Sequence, residues 1–405
     1  MSNKEKSSAA TSGRSALVPK LRFPEFQDAG QWQIKPFEKL FTLGNGRDHK
    51  HLSPGNVPVY GSGGFMRLVD DHLYEGESVC IGRKGTIDNP IFLTGKFWTV
   101  DTLFYTHSFK HCLPKFIFAI FQQIDWRKHN EAGGVPSLSK ANIEKIEVAT
   151  PSLPEQKKIA DCLDSADALI AAQGRKVDAL RAHKKGLMQQ LFPQEGETQP
   201  RLRFPEFEGE WKEEKIDDLF HFQDGFAFSS NDFVEANADA TQVIRITDIN
   251  NKNSNQDKVY VSNAFLASNK LDKYFVKTGD LLLSLTGAAG FNFFFWNGDR
   301  ALINQRTAKV SPTRKSHSAT ARLLEPMVHK KINARGEGQN NNLTKEFLSS
   351  VLLRLPSVPE QQRIADCFTS LDDLIAAETR KLDTLKTHKK GLMQQLFPRV
   401  GEADS

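Results

Sequence analysis

Catalysis needs reactive side chains of the right type at the right spacing, and this chain carries few such sets. The carboxylate pairs Asp70-Asp71 and Asp372-Asp373 are neighbours in sequence, so their side chains point in different directions. No carboxylate cluster of the PD-(D/E)xK kind stands in a convincing context. The run "GRKGT" (82 to 86) lacks the GxxxxGK[ST] spacing of a nucleotide-binding loop. An amino-methyltransferase would carry Asn/Asp-Pro-Pro-aromatic, and "DNPI" (88 to 91) has a single Pro. The four cysteines form no CxxC and have no His at metal spacing, so neither a disulfide framework nor a zinc site is expected. Catalytic residues: none; metal ligands: none.

What the chain does carry is a repeat. "PSLPEQKKIADCLDSADALIAAQGRKVDALRAHKKGLMQQLFP" (151 to 193) returns as "PSVPEQQRIADCFTSLDDLIAAETRKLDTLKTHKKGLMQQLFP" (356 to 398), with roughly seven positions in ten identical. "LRFPEF" (21 to 26) returns at 202 to 207, each copy followed by a Trp, Trp32 and Trp211. The order is short motif, variable segment, long helix, and then the same again.

Each long helix has its own signals. Ser152, Pro154 and Glu155 predict a capping box, repeated by Ser357, Pro359 and Glu360, and Phe192-Pro193 and Phe397-Pro398 mark the far limits. Between them, positions 159, 163, 166, 170, 173, 177, 180, 184, 187 and 191 step by four and three, a heptad seam. The pairing side chains are Ile159, Leu163, Ile170, Val177 and Leu180 in one copy, and Ile364, Phe368, Leu371, Ile375, Leu382 and Leu385 in the other. Acids (Glu155, Asp161, Asp164, Asp167) fill the first half and bases (Arg175, Lys176, Arg181, Lys184, Lys185) the second. That polarity sets acid beside base only if the helices run antiparallel. About 35 residues at 1.5 Å each make a rod of about 50 Å. Cys162 and Cys367, at matching places in these helices, read as buried small apolar residues.

The variable segments, about 32 to 150 and 211 to 355, share outline but little text. "EKLFTLGNG" faces "DDLFHFQDG", "GESVCIGRKGT" faces "GDLLLSLTGAAG", and "SLSKANIEKIEV" faces "NLTKEFLSSVLL". Short apolar runs broken by Gly and Asn predict strands, closed by a Ser- or Thr-capped helical turn. "FNFFFW" (291 to 296) reads as a buried strand, and "ITDINNKNSNQD" as an exposed loop in the longer second segment. The expected fold class is α+β: two similar domains of mixed strands and helices, separated by two long antiparallel heptad helices in a pseudo-two-fold repeat. The divisions are a disordered tail (1–18), first domain (19–150), first helix (151–193), second domain (194–355), second helix (356–398) and a C-terminal tail (399–405).

Composition bounds the rest. A formal charge of +5 and a pI near 8.8 permit a nucleic acid partner without requiring one, and the mean hydropathy is -0.46. No apolar run is long enough for a membrane helix, and the first eighteen residues lack a signal-peptide pattern, so a cytoplasmic protein with no membrane role is expected.

From about residue 20 to 398 the chain resembles the specificity subunits of type I restriction-modification systems. The likeness runs through "RFPEF", "PVYGSGG" (58 to 64), "IGRKGTI" (81 to 87), "FWTVDTLFY" (97 to 105), "INQRTA" (303 to 308) and the two P-x-PEQ helices ending in "LMQQLF". The resemblance implies a non-catalytic subunit whose variable segments are target-recognition domains, each reading half of a split, asymmetric site in double-stranded DNA. It further implies that the paired helices fix the gap and that each repeat docks one adenine methyltransferase (modification) subunit, through Leu187, Met188, Leu191 and Phe192 in one copy and Leu392, Met393, Leu396 and Phe397 in the other. Restriction/translocase subunits complete such a complex. This chain then needs no cofactor, since S-adenosylmethionine, ATP and Mg belong to partner subunits. On this resemblance the DNA contacts of the first domain are Arg47, His49, Lys50, Ser62, Arg83, Lys84 and Thr86. Those of the second are Arg245, Asn250, Asn251, Lys252, Thr286, Asn304, Gln305 and Arg306, by the rules pairing Arg or Lys with guanine and Asn or Gln with adenine. The rival readings are a stand-alone DNA methyltransferase or nuclease, and a coiled-coil scaffold without DNA function.

Overall fold

The heptad spacing becomes two continuous helices, Leu153–Gln190 and Val358–Leu396. They belong to a computed structural model whose described residues are 17–194, 196–250, 258–285, 293–313, 320–324, 327–328 and 345–398. No seam position of either helix is exposed; each is buried or half-buried, as an apolar stripe covered along its length must be. The chain divides into two compact units, and the division falls inside these helices. Residues up to Arg175 join those from Thr379 onward, and Lys176–Glu378 form the other unit. Each unit is described by itself.

In the first unit the strands are β1 (Gln33–Pro36), β2 (Thr42–Asn45), β3 (Val57–Gly61), β4 (Gly64–Val69), β5 (Tyr74–Glu75), β6 (Ser78–Gly82), β7 (Ile91–Leu93), β8 (Lys96–Thr99), β9 (Leu103–His107) and β10 (Glu147–Thr150). They form a β1-β10 pair, a sheet ordered β2-β9-β6-β7 and a sheet ordered β4-β3-β8-β5, in which β3 and β8 run parallel. Pro114 opens helix α1 (Pro114–Phe121), whose apolar run buries Phe116, Ile117, Ile120 and Phe121. Helix α2 (Lys140–Lys145) starts at Ser139, whose Oγ accepts from the Asn142 amide at 3.2 Å, the predicted serine cap. Trp32, Phe37, Phe116 and Trp126 share one core with Ile159 and Leu163 from the start of the first long helix and Leu396 from the end of the second.

The second unit repeats that topology with other residues. Its strands are β11 (Lys212–Lys215), β12 (Phe220–Asp224), β13 (Phe233–Val234), β14 (Ala240–Ile244), β15 (Val259–Ser262), β16 (Phe275–Val276), β17 (Leu281–Ser284), β18 (Phe293–Phe295), β19 (Ala301–Ile303), β20 (Thr307–Pro312) and β21 (Leu352–Leu355). A β11-β21 pair, a sheet β12-β20-β17-β18 and a sheet β13-β15-β14-β19-β16 answer the first unit's sheets, and β14 and β19 are again the parallel pair. Two segments with little common text therefore share one α+β fold, as expected from the sequence.

Charge sets the helix direction within each unit. Lys389 Nζ lies 2.6 Å from Asp167 Oδ1 in the first, and Lys184 Nζ lies 2.7 Å from Asp372 Oδ1 in the second. These are equivalent positions of the repeat, and Lys176 adds an ion pair to Glu378. Since Ile159 and Leu163 also pack with Leu396, the paired stretches run antiparallel, base against acid.

Several expectations change. The carboxylate assigned to the capping box instead leaves its own helix: Glu155 accepts from Arg22 Nε and Nη2 at 2.8 Å and from Trp32 Nε1 at 3.2 Å. Glu360 does the same for Arg203, at 2.8 and 2.7 Å. A charge-assisted fork outcompetes a local amide because it neutralises a buried cation. Cys162 and Cys367 are half-buried rather than buried. "FNFFFW" is an edge strand over Phe293–Phe295: Phe293 is buried, whereas Phe295 is exposed under the Arg322 guanidinium, 5.1 Å from its ring centre. Leu17 is held rather than loose, for its carbonyl accepts from the Trp32 amide at 3.0 Å. Tail residues 1–16 and 399–405 and the Thr344 cap lie outside the described residues.

Candidate nucleic-acid interface

In the first unit the turn from β8 to β9, Val100–Thr102, gathers the candidate side chains through their backbones. The Arg47 amide donates to the Thr99 carbonyl at 2.8 Å, and the Arg83 amide to the Thr102 carbonyl at 2.8 Å. The Ser62 amide reaches Thr102 Oγ1 at 3.4 Å, and Trp98 Nε1 donates to the Arg47 carbonyl at 2.9 Å. Gly46 is required here, because a Cβ on it would lie 1.9 Å from the Val100 carbonyl oxygen. Gly85 has φ +91°, a left-handed conformation that favours glycine, and its amide donates to the Pro136 carbonyl at 2.9 Å.

These contacts frame a groove of about 730 Å³ lined by Asp48, His49, Lys50, Gly61 to Met66 and Val100 to Thr102. Arg47, Lys50, Arg83, Lys84 and Thr86 are exposed, and His49 and Ser62 half-buried, so the structure brings the first-domain candidates to one neighbourhood. Cations with fixed backbones and solvated heads suit phosphates and base edges. Sequence reasoning overlooked Asp48 and Asp101, whose carboxylates can accept from a cytosine amino group, and the apolar Phe65 and Met66. The available signal was the glycine-bounded turn "GSGGFM", which sets Phe65 directly beside a tight hairpin. The one thiol nearby, Cys80 on β6, is fully buried and pushed up to about 12, so it stays protonated and inert.

The second unit builds the same turn from Asn304–Arg306. The Phe226 amide donates to the Ile303 carbonyl at 2.9 Å, as Arg47 does to Thr99, and the Leu285 amide to the Arg306 carbonyl at 2.9 Å, as Arg83 does to Thr102. Gly225 takes the place of Gly46, since a Cβ there would lie 2.3 Å from the Asn304 carbonyl oxygen. Gln305 and Arg306 are exposed and Asn304 half-buried. Arg245 is half-buried beside Asp248, with Nε 3.8 Å from Oδ2. Asn250 ends the short helix Ile246–Asn250, while its side chain, together with Asn251, Lys252 and Thr286, lies outside the described residues.

The docking assignment changes at Leu191, Phe192 and Leu396. Leu191, Phe192 and Leu396 are buried in the chain's own cores, and Leu187, Met188, Leu392, Met393 and Phe397 pack against those cores. Phe397 stacks on Phe116 at 5.5 Å, and Phe192 on Phe368 at 6.1 Å. Leu191, Phe192 and Leu396, closed inside their units, have no free face for a partner, whereas the other five are half-buried and keep part of theirs. Three other pairs are exposed and apolar at equivalent places of the repeats: Leu21 with Leu202, Leu153 with Val358, and Leu169 with Leu374. Among the described residues, no cluster of three or more His, Cys, Asp or Glu could hold a metal, and no helix is long and apolar enough to cross a membrane.

A family profile described as the type I restriction modification DNA specificity domain matches residues 30–181 and 208–387. The chain is 22% identical over 379 residues to the type I restriction enzyme MjaVIII specificity subunit of Methanocaldococcus jannaschii, spanning 89% of this chain and 85% of that one. It is 27% identical over 188 residues to the type I restriction enzyme EcoBI specificity subunit of Escherichia coli, 46% of this chain and 36% of that one. In fold, it matches the S subunit of a type I restriction-modification system from M. genitalium with a TM-score of 0.61 at 14% identity, covering 95% of this chain and 100% of that one. A chain from a structural study of complex assembly in the type I R-M system gives 0.54 at 14% identity, covering 91% and 97%. Matched in both halves and alike in architecture, the chain belongs to the type I restriction-modification DNA specificity family.

Proposed function

We propose that this chain is the non-catalytic DNA-recognition subunit of a cytoplasmic type I restriction-modification complex. Each variable domain reads one half of a bipartite, asymmetric site in double-stranded DNA. The paired helices set the gap between the halves and dock two copies of an adenine methyltransferase subunit, with restriction/translocase subunits joining the same complex. S-adenosylmethionine, ATP and Mg are the partners' cofactors on this reading.

One observation carries it. Equivalent scaffolds present unlike side chains at equivalent positions: Arg47, Arg83, Asp101 and Thr102 in one unit correspond to Phe226, Leu285, Gln305 and Arg306 in the other. The scaffold preserves a place to meet the duplex, and the side chains differ where base edges would be read, so the two half-sites differ in text. The repeated exposed pairs Leu21 with Leu202, Leu153 with Val358, and Leu169 with Leu374 support two equal sockets for one kind of partner.

The test is to map methylated adenines across the genome of cells that carry the partner methyltransferase, with and without this chain. A single split motif, methylated on both strands only when the chain is present, is the expected result. An unchanged map with a demonstrably active partner refutes the reading and leaves a scaffold without DNA function.

A further inference from the structure

The hairpin of β3 and β4 ends in the two-residue turn Ser62-Gly63, and it carries its apolar side chains on the outside. Phe65 is 60% exposed, Met66 50% and Leu68 47%. A β-bulge opposite Val59 and Tyr60 breaks the alternation, so two consecutive apolar residues face solvent where a regular strand would turn one inward. The Tyr60 ring meets the Phe65 ring edge-on at 6.1 Å, which backs the tip without covering it. Phe65 and Met66 line the same groove as His49, Lys50 and Ser62, while Arg47, Arg83 and Lys84 are exposed on the adjoining segments. An apolar tip between cations is complementary to a duplex: the cations answer phosphates, and a ring with a thioether fits between bases.

We infer that this tip is a wedge: Phe65 and Met66 enter the base stack at one step of the half-site read by the first unit, and open it. The inference rests on the DNA-recognition reading above. Among the described residues the tight apolar hairpin belongs to the first unit, since in the second β14 leads into the helix Ile246–Asn250. Opening a step makes the first half-site selective for sequences that unstack easily, such as pyrimidine–purine steps, through deformability rather than hydrogen bonds.

The experiment uses the full chain with its methyltransferase partner and duplexes carrying 2-aminopurine at successive positions of the mapped site. With the unaltered chain, fluorescence should rise at one step of the first half-site away from the target adenine, which the methyltransferase itself takes out of the stack. Phe65→Ser with Met66→Ser should abolish the rise and weaken site-specific binding about tenfold or more. The second half-site and the number of bound methyltransferase copies should stay the same. A rise at that step that survives in the variant, or that never appears in a complex methylating its site normally, overturns the wedge. Loss of bound methyltransferase or altered self-association in the variant also overturns it and makes the tip a protein contact. Failure of the DNA reading looks different, because then the unaltered complex selects no site at all.

Discussion

Arg22 and Glu155 stand 133 residues apart in the chain and meet through two hydrogen bonds of 2.8 Å, with both side chains almost wholly buried. The guanidinium also donates to the carbonyls of Ala29 and Gly30, and the bond to Glu155 raises its already high pKa. Arg203 and Glu360 repeat the arrangement, so the two repeated motifs of the sequence are halves of one clasp. Replacing Arg22 by Ala strands a buried carboxylate and should destabilise the first unit by about 3–5 kcal/mol, measured by urea unfolding. Arg203→Ala should cost less, because Arg203 is the more exposed of the two arginines.

Gly186 and Gly391 sit inside continuous helix with open space where a Cβ would go. Each Gly→Ala substitution should therefore stabilise the chain by about 0.5–1 kcal/mol in thermal or urea unfolding. If the double variant is more stable yet binds its partner less well, the glycines are retained for close approach of a partner's backbone.

Leu169 and Leu374 are exposed and hold no core together. Leu169→Glu or Leu374→Glu should change stability by less than about 0.5 kcal/mol. Each alone should reduce the bound methyltransferase from two copies to one, counted by native mass spectrometry. Two copies on the double variant would place the sockets elsewhere.

Exchanging residues 32–150 for another recognition segment should alter one half of the methylated motif and leave the other unchanged. Seven residues inserted into each long helix keep the seam in phase to within about 20°. They should lengthen the gap while preserving both half-site texts, read from the same methylation map.

His107 gives a pH dependence. Burial, with a smaller effect from Lys140, holds its imidazole below its ordinary value of 6.5. Between the lowered folded value and 6.5 the unfolded chain binds more protons, so stability rises with pH across that window. The stability of the first unit should fall as pH drops below about 6.5, and His107→Gln should flatten that limb of the curve. An unchanged slope in the variant would assign the dependence to other groups.

The periodicities were legible because they record which face of an element is apolar. The seam from Ile159 to Leu191, the Ser139 cap and the matched segments around Gly46 and Gly225 all follow from spacing and turn chemistry. What spacing does not record is which surface covers an apolar face. Leu191, Phe192 and Leu396 have the pattern of a docking patch, yet they are covered by the chain itself. Phe65 and Met66 have the composition of core, yet they are uncovered. Glu155 has a local partner at capping distance in sequence, and a distant arginine displaces it. In each case the deciding contact is long-range, and no local rule contains it.

The burial of Leu396 in the core of the first unit has a consequence for biosynthesis. Residues 176–378 are contiguous, whereas the first unit needs residues from 379 onward to close its core and to set Lys389 against Asp167. On the ribosome, the segment made first therefore waits for the segment made last. The second unit can finish folding while the first still lacks a wall, which reverses the usual N-to-C order of maturation.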